Sequence, residues 1–284
     1  MYTGVLLTVD FDRTLTAPDS TIPQSNLDAI EYFMANGGIF TVNTGRSTST
    51  FRQYLDVIPV NAPILLYNGS AAWENGRLTH LVPIGLDVWQ TMDTVHKLFP
   101  DMNLEIQGQS SHYLIDPQPE MVALCEQLGW PHDEAVWGQD VGPFLKFALW
   151  GKPEEPRVAS VFSATEAQLQ RFDEAESILR TLYGDKVEIF RPAPRIIDVH
   201  AKGVSKLNAA RRLQEETGAR ILVCVGDAEN DAAMLDGADY AYCPADGVVA
   251  YRYENVCKCD DGAIADVIYK KIPEILGICL DRTE

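Results

Sequence analysis

No apolar run in this 284-residue chain approaches the roughly 20 residues that a membrane-spanning helix needs, so no membrane partner is expected. Basic residues are few: 23 Lys plus Arg stand against 41 Asp plus Glu, a formal charge of −18. That surplus repels polyanions and anionic lipid surfaces, which argues against nucleic acid as a partner. Cysteine is sparse, six residues at positions 125, 224, 243, 257, 259 and 279, with no disulfide framework. A reducing cytoplasm is the simplest setting. Cys257 and Cys259 resemble half of a zinc site, but no second pair matches them. The five histidines show no metal-ligand spacing. The N-terminus enters a strand pattern at once, without a signal-peptide pattern. There are no repeats and no low-complexity segment. What remains is 46% hydrophobic, enough for one large α/β domain or two modest ones.

The most informative stretch is Val5-Leu6-Leu7-Thr8-Val9-Asp10-Phe11-Asp12-Arg13-Thr14-Leu15-Thr16. Five aliphatic and β-branched residues read as a buried strand of a parallel sheet. They end in two carboxylates with one residue between them. Ligands of open parallel sheets bind at the carboxyl ends of the strands. Two acids at such an edge call for a metal ion or a reacting phosphate as partner. Taken alone, they could equally be turn formers.

Strand and helix then alternate. A helical face of Leu27, Ile30, Phe33 and Met34 stops at Gly37-Gly38. A second strand, Ile39–Val42, ends in Asn43-Thr44-Gly45-Arg46-Ser47, and a third, 64–67, ends in Asn68-Gly69-Ser70. Late in the chain, Ser205 caps a helix carrying Lys206, Leu207, Ala210 and Leu213 and closed by Gly218. The strand Ile221–Val225 then runs into Gly226-Asp227-Ala228-Glu229-Asn230-Asp231, and 240–243 forms a further strand. This rhythm predicts an α/β fold with a doubly wound parallel sheet.

Residues 84–190 read differently. Helices are expected over 88–99 and 120–128, and strands over 144–150, 157–163 and 186–190. Four of the five tryptophans, Trp89, Trp130, Trp137 and Trp150, fall here, and core positions suit them better than sugar platforms. The segment reads as an inserted α+β domain. Residues 1–83 and 191–284 then form the discontinuous core, and Arg191-Pro192-Ala193-Pro194-Arg195 the return linker.

The order of these pieces resembles the haloacid dehalogenase-like (HAD) superfamily: the paired acids after the first strand, Thr44-Gly45-Arg46 after the second, Lys206 at a helix start, then Gly226-Asp227 to Asn230-Asp231. Within it, Leu66-Tyr67-Asn68-Gly69-Ser70 and Gly203-Val204-Ser205-Lys206 look like the Cof-type phosphatases. These carry a class IIB cap between the second and third motifs, where the insertion lies here.

The resemblance implies a Rossmann-like core and an aspartyl-phosphate mechanism. Asp10 would be the nucleophile and Asp12 the general acid and base. Thr44, Gly45, Lys206 and Asn230 would hold the phosphate. Mg²⁺ would be bound by Asp10, the Asp12 backbone carbonyl and Asp227, with Asp231 holding a metal-bound water. Arg13 stands where the family commonly has Gly, and it puts a cation near the phosphate entrance. Arg13, Arg46, Asn68 and Lys146 are the candidate substrate contacts. Arg191 and Arg195 read as surface partners of acids. The expected substrate is a small phosphorylated metabolite, most plausibly a sugar phosphate. A phosphomannomutase-like mutase and a non-catalytic phosphometabolite sensor stay open as alternatives.

Overall fold

All five side chains of β1 (Val5–Val9) are buried, because the strand is covered on both faces. In this computed structural model, which describes residues 1–278, the chain next turns through Phe11–Leu15 and forms α1 (Gln24–Ala35). Asn26, Ala29, Ile30 and Phe33 face inward, while Leu27 and Met34 are only half-buried. β2 (Ile39–Val42) pairs in parallel with β1 and is followed by the one-turn helix α2 (Thr48–Phe51). β3 (Ile64–Leu66) pairs with the parallel sheet at an isolated Asn43–Leu65 bridge. Tyr67 and Asn68 then take left-handed backbone angles and reverse the chain. β3 therefore opens an antiparallel sheet with β4 (Ala71–Glu74) and β5 (Arg77–Thr79), rather than extending the parallel one.

Next come α3 (Val88–Leu98), β6 (Asn103–Gln107), β7 (His112–Ile115), α4 (Pro119–Leu128), β8 (His132–Glu134) and β9 (Lys146–Trp150). They are followed by α5 (Arg157–Ser160), α6 (Glu166–Tyr183), β10 (Val187–Ala193) and β11 (Ile196–Ala201). The six strands form one mixed sheet in the order β10-β11-β9-β6-β7-β8. On one face, Met92, Val95, Phe172 and Leu179 of α3 and α6 pack over Ile106, Phe147 and Val199. The other face is apolar only at one end, where Met121, Leu124 and Val161 cover Ala148, Trp150 and Ile196. Glu105, Gln107, His112, Lys146, Asp198 and His200 fill the rest of that face, and all are buried.

The insertion departs from expectation at two places. Residues 157–163 do not form a strand. Val158 and Val161 are three residues apart and pack into one cluster, which is the spacing of the short helix α5. The proline-rich stretch at 191–195 is no linker either, because it forms the tip of the β10–β11 hairpin. The chain divides into two units, one of Met1–Gly45, Tyr54–Thr79 and the residues from Ser205 on, the other of Arg46–Gln53 and His80–Val204. The return expected at 190/191 thus falls at 204/205, and the segment 46–53 belongs with the second unit.

α7 (Lys206–Thr217) begins at Ser205, whose hydroxyl accepts the Asn208 N–H at 3.0 Å, and ends at Gly218. β12 (Ile221–Val225), α8 (Ala232–Asp236), β13 (Tyr240–Pro244) and β14 (Glu254–Val256) complete the parallel sheet in the order β14-β13-β12-β1-β2. No described helix is long and apolar enough to cross a membrane. The five described cysteines are free thiols, and Cys279 lies outside the described residues.

Candidate active site

Val9 pairs with Val42 on one side and Val225 on the other, so three strands end level. The ladder runs one residue further. The Asp10 N–H donates to Val225 O at 2.8 Å, and the Asn43 N–H to Val9 O at 2.8 Å. This fixes the Asp10 backbone where the sheet stops. Lys206 Nζ lies 2.5 Å from Asp10 Oδ1 and 2.6 Å from Asp231 Oδ1. The start of α7 is pinned in turn by Asn43, whose side-chain amide donates to Lys206 O at 2.9 Å.

Asp231 takes the backbone N–H groups of Asp227 and Ala228 on its other oxygen, each at 3.1 Å. Asp227 Oδ1 accepts the Thr14 hydroxyl at 3.0 Å. The carboxylate oxygens of Asp10, Asp227 and Asp231 lie within 4.8 Å of one another, and all three residues are buried. Burial pushes the Asp10 carboxyl well above its usual range; Asp231 adds to this and Lys206 opposes it. Burial and Asp231 together push Asp227 up to about 7. Burial disfavours the Lys206 ammonium, yet Asp10 and Asp231 outweigh that and hold its pKa above the ordinary value. Three buried carboxylates facing one ammonium leave surplus negative charge in a low-dielectric place. An all-oxygen set with that surplus suits a hard divalent cation such as Mg²⁺.

Thr44 and Gly45 form the neighbouring turn. The Thr44 N–H donates to Leu65 O at 2.9 Å, and its carbonyl accepts the Asn68 N–H at 3.0 Å. Any side chain on Gly45 would begin 2.9 Å from Asn68 Oδ1, so Asn68 lies directly over it. Asp12 is half-buried in the turn after β1. Its charge raises Asp10, but its carboxylate stands outside the cluster of three. Arg13 is exposed with φ 61°, so it keeps the left-handed conformation that glycine takes without strain. Its charge lowers both Asp227 and Asp246. Asn230 is half-buried on the single turn Glu229–Asp231.

Two candidate substrate contacts lie in the second unit. Arg46 is half-buried and donates to Thr50 O at 3.3 Å. Lys146 is buried, and its ammonium lies 2.6 Å from Asp198 Oδ2, so its charge is directed to that carboxylate. Arg195 is not a surface residue: it is 3% exposed and clamps the carbonyls of Ser160 and Lys152. Arg191 does pair with a surface acid, Asp173, at 2.6 Å. Trp150 is buried, Trp89 and Trp130 are half-buried, and Trp137 is exposed. Cys259 groups with Asp246 and Asp260, without Cys257. Its thiol donates to Asp246, and burial with that bond pushes it up to about 12. Thr14 and Asn43 escape sequence reasoning, since nothing but polarity marks them.

A family model described as haloacid dehalogenase-like hydrolase matches residues 7–251. A curated relative, the 5-amino-6-(5-phospho-D-ribitylamino)uracil phosphatase YcsE of Bacillus subtilis, is 21% identical over 82% of this chain and 80% of its own. Among solved structures, a haloacid dehalogenase-like hydrolase from Bacteroides thetaiotaomicron is similar with a TM-score of 0.77 at 17% identity, covering 95% of this chain and 100% of that one. An HAD subclass IIB sugar phosphatase gives a TM-score of 0.70 at 18% identity, covering 96% and 99%. These likenesses show the fold. With the family match over most of the sequence, they make this chain a member of the haloacid dehalogenase-like hydrolases.

Proposed function

We propose that the protein is a Mg²⁺-dependent phosphatase of small phosphorylated metabolites, sugar phosphates first among them, acting through an aspartyl-phosphate on Asp10. The observation that carries this reading is the buried set of Asp10, Lys206, Asp227 and Asp231 at the edge where β1 and β12 end. Asp10 sits on a fixed backbone and shares Lys206 with Asp231, so it is aimed, and the ammonium favours its carboxylate against the effect of burial. Its carboxylate oxygen attacks phosphorus, the bond to the substrate oxygen breaks, and Asp12 gives that oxygen a proton. Asp12 then takes a proton from water, which attacks the phosphoryl group. This releases inorganic phosphate and restores the carboxylate.

Thr44, Gly45, Lys206 and Asn230 would hold the phosphoryl oxygens. Asp10, the Asp12 carbonyl and Asp227 would hold Mg²⁺, with Asp231 behind them. When bound, the ion would supply charge neutralisation between two approaching anions. The second unit would act as the cap that selects the substrate. The sugar phosphate class draws support from the subclass IIB sugar phosphatase neighbour and from relatives named for a phosphoribityl substrate.

The test is phosphate release across sugar phosphates, nucleotides and cofactor phosphates, with Mg²⁺ or with chelator. Release of phosphate that the chelator stops is expected. Isomerisation of a hexose 1-phosphate outrunning release would make the protein a mutase. Tight binding with neither product would make it a sensor.

A further inference from the structure

Asp227 is tied by its backbone on both sides. Its N–H donates to Asp231 Oδ2 at 3.1 Å, and its carbonyl accepts the Val249 N–H at 3.1 Å. Val249 belongs to a pair of turns that follow β13. The Gly247 N–H donates to Pro244 O at 2.8 Å, and the Ala250 N–H to Gly247 O at 3.2 Å. Val249 is buried in one cluster with Met234, Leu235 and Cys243, which anchors the far end of the segment. Gly247 is its point of closest approach. A side chain there would begin 2.6 Å from Cys243 Sγ and 3.2 Å from Asp227 Cα, so the absence of one lets the turn lie on the Asp227 backbone.

The near end is held by Asp246. Its Oδ1 accepts the Cys259 N–H at 3.0 Å, and its Oδ2 accepts the Cys259 thiol at 3.2 Å. Cys259 is buried and opens the single turn Cys259–Asp261. Burial pushes the Asp246 carboxyl up, but the two bonds from Cys259 outweigh it and hold it below its usual range. A metal bound by Cys259 would have to displace the hydrogen that makes one of these bonds. Both carboxylate oxygens therefore serve a clasp between two segments. Beside it the Ala245 N–H reaches Cys257 O at 3.4 Å, a longer tie between the same segments.

We propose that Asp246 and Cys259 are positioning residues, which lock the turn at Gly247 against the Asp227 backbone and so set how tightly the buried carboxylates hold Mg²⁺. This rests on the reading of Asp227 as a Mg²⁺ ligand. A turn released from the clasp gains freedom that metal binding must take away again. The ion then meets a carboxylate whose supporting contacts are looser, and affinity falls.

The experiment follows melting temperature against Mg²⁺ concentration, which gives a dissociation constant without turnover. The variants are Asp246→Ala, Asp246→Asn, Gly247→Ala, and Asp246→Ala combined with Gly247→Ala. Loss of a direct partner of a metal ligand costs about 10–100-fold in affinity, and Asp246 acts one link further back, so Asp246→Ala should weaken Mg²⁺ roughly fivefold. Gly247→Ala pushes the same turn off Asp227 and should weaken it by a similar factor. The double variant should be no worse than the worse single, because both release one contact. Asp246→Asn removes the charge but keeps an oxygen for the Cys259 N–H and an amide for the sulfur, so it should stay within about twofold of wild type. Unchanged Mg²⁺ affinity in Asp246→Ala despite a lower melting temperature would overturn the proposal, as would additive losses in the double variant. An Asp246→Asn as weak as Asp246→Ala would also overturn it, by making charge rather than position the cause. If Asp246→Ala does not fold, Cys259→Ala takes its place in the cycle, with Cys259→Ser as the variant that keeps a donor and should retain wild-type affinity. A wild-type melting temperature that Mg²⁺ does not raise overturns the metal reading itself, a result separate from any difference among variants.

Discussion

Asp231 occupies the space that a side chain on Gly226 would need: a methyl group there would lie 2.6 Å from the Cβ of Asp231. The glycine therefore sets where the acid sits. Gly226→Ala should push Asp231 off Lys206 and off the two N–H groups it caps. The expected cost is about 1–3 kcal/mol of stability from overpacking, with turnover reduced further than folding accounts for. Thermal melts beside phosphate release would check this, and an active, fully stable Gly226→Ala would refute it.

Asp10→Asn should abolish turnover, by at least on the order of 10³-fold, while the fold persists. Shape is retained, and Lys206 keeps Asp231 as a partner. Burial raises the Asp10 carboxyl, so the site already disfavours a charge there and a neutral amide is compatible with folding. Circular dichroism with phosphate release decides, and substantial residual turnover in the purified variant rules out covalent catalysis by Asp10.

The affinity for Mg²⁺ should rise with pH and level off above about 7. Burial and Asp231 lift Asp227 from 3.8 to about 7, so below that pH the carboxyl holds a proton that the metal must displace. Affinity should fall at least about tenfold per pH unit on the acid side, as displacement of the Asp227 proton requires, and more steeply where Asp10, whose carboxyl burial also raises, is protonated too. The sign for the metal-free protein is the reverse. A carboxyl raised on folding stabilises most while protonated, and that contribution is lost as pH rises through about 7. His200 does not interfere above its ordinary 6.5, because its pKa is lowered by burial and by Lys146 and the imidazole is neutral there. Melting with chelator should therefore drop from pH 6.5 to about 8, and melting with saturating Mg²⁺ should not.

Arg13→Gly should be more stable than Arg13→Ala by about 1 kcal/mol. Both remove the charge, so the difference isolates the backbone, and φ 61° suits only glycine without strain. Equal melting temperatures would show that the turn relaxes to another conformation.

The sequence speaks most clearly where burial and chemistry coincide. β1, β2 and β12 are continuous apolar runs, and α7 has a serine cap and a glycine stop, so their limits and the acids after them are plain to read. β6 is harder: Asn103, Glu105 and Gln107 alternate with apolar residues, which usually marks a strand with one wet face. Here all five positions are buried: Glu105 accepts from Gln107 and Trp150 and bonds His112, and Asn103 accepts the Gln118 N–H. Of the left-handed pair Tyr67 and Asn68, which diverts β3 out of the parallel sheet, only Asn68 is a residue type that favours that conformation. The side chains of Thr14 and Asn43 find partners more than 160 positions away in sequence.

The register of the parallel sheet has a consequence for synthesis. Val5 on β1 pairs with Ile221 on β12, so the first strand to leave the ribosome waits for one of the last. The six-stranded sheet of the second unit is complete as soon as β11 emerges, well before β12 exists. Its hydrophobic cluster can close while β1 has only β2 to pair with. Lys206 is translated before Asp227 and Asp231. Asp227 and Asp231 thus enter the fold after Lys206, and a chain released before β12 would have a finished second unit without the buried cluster of Asp10, Asp227 and Asp231.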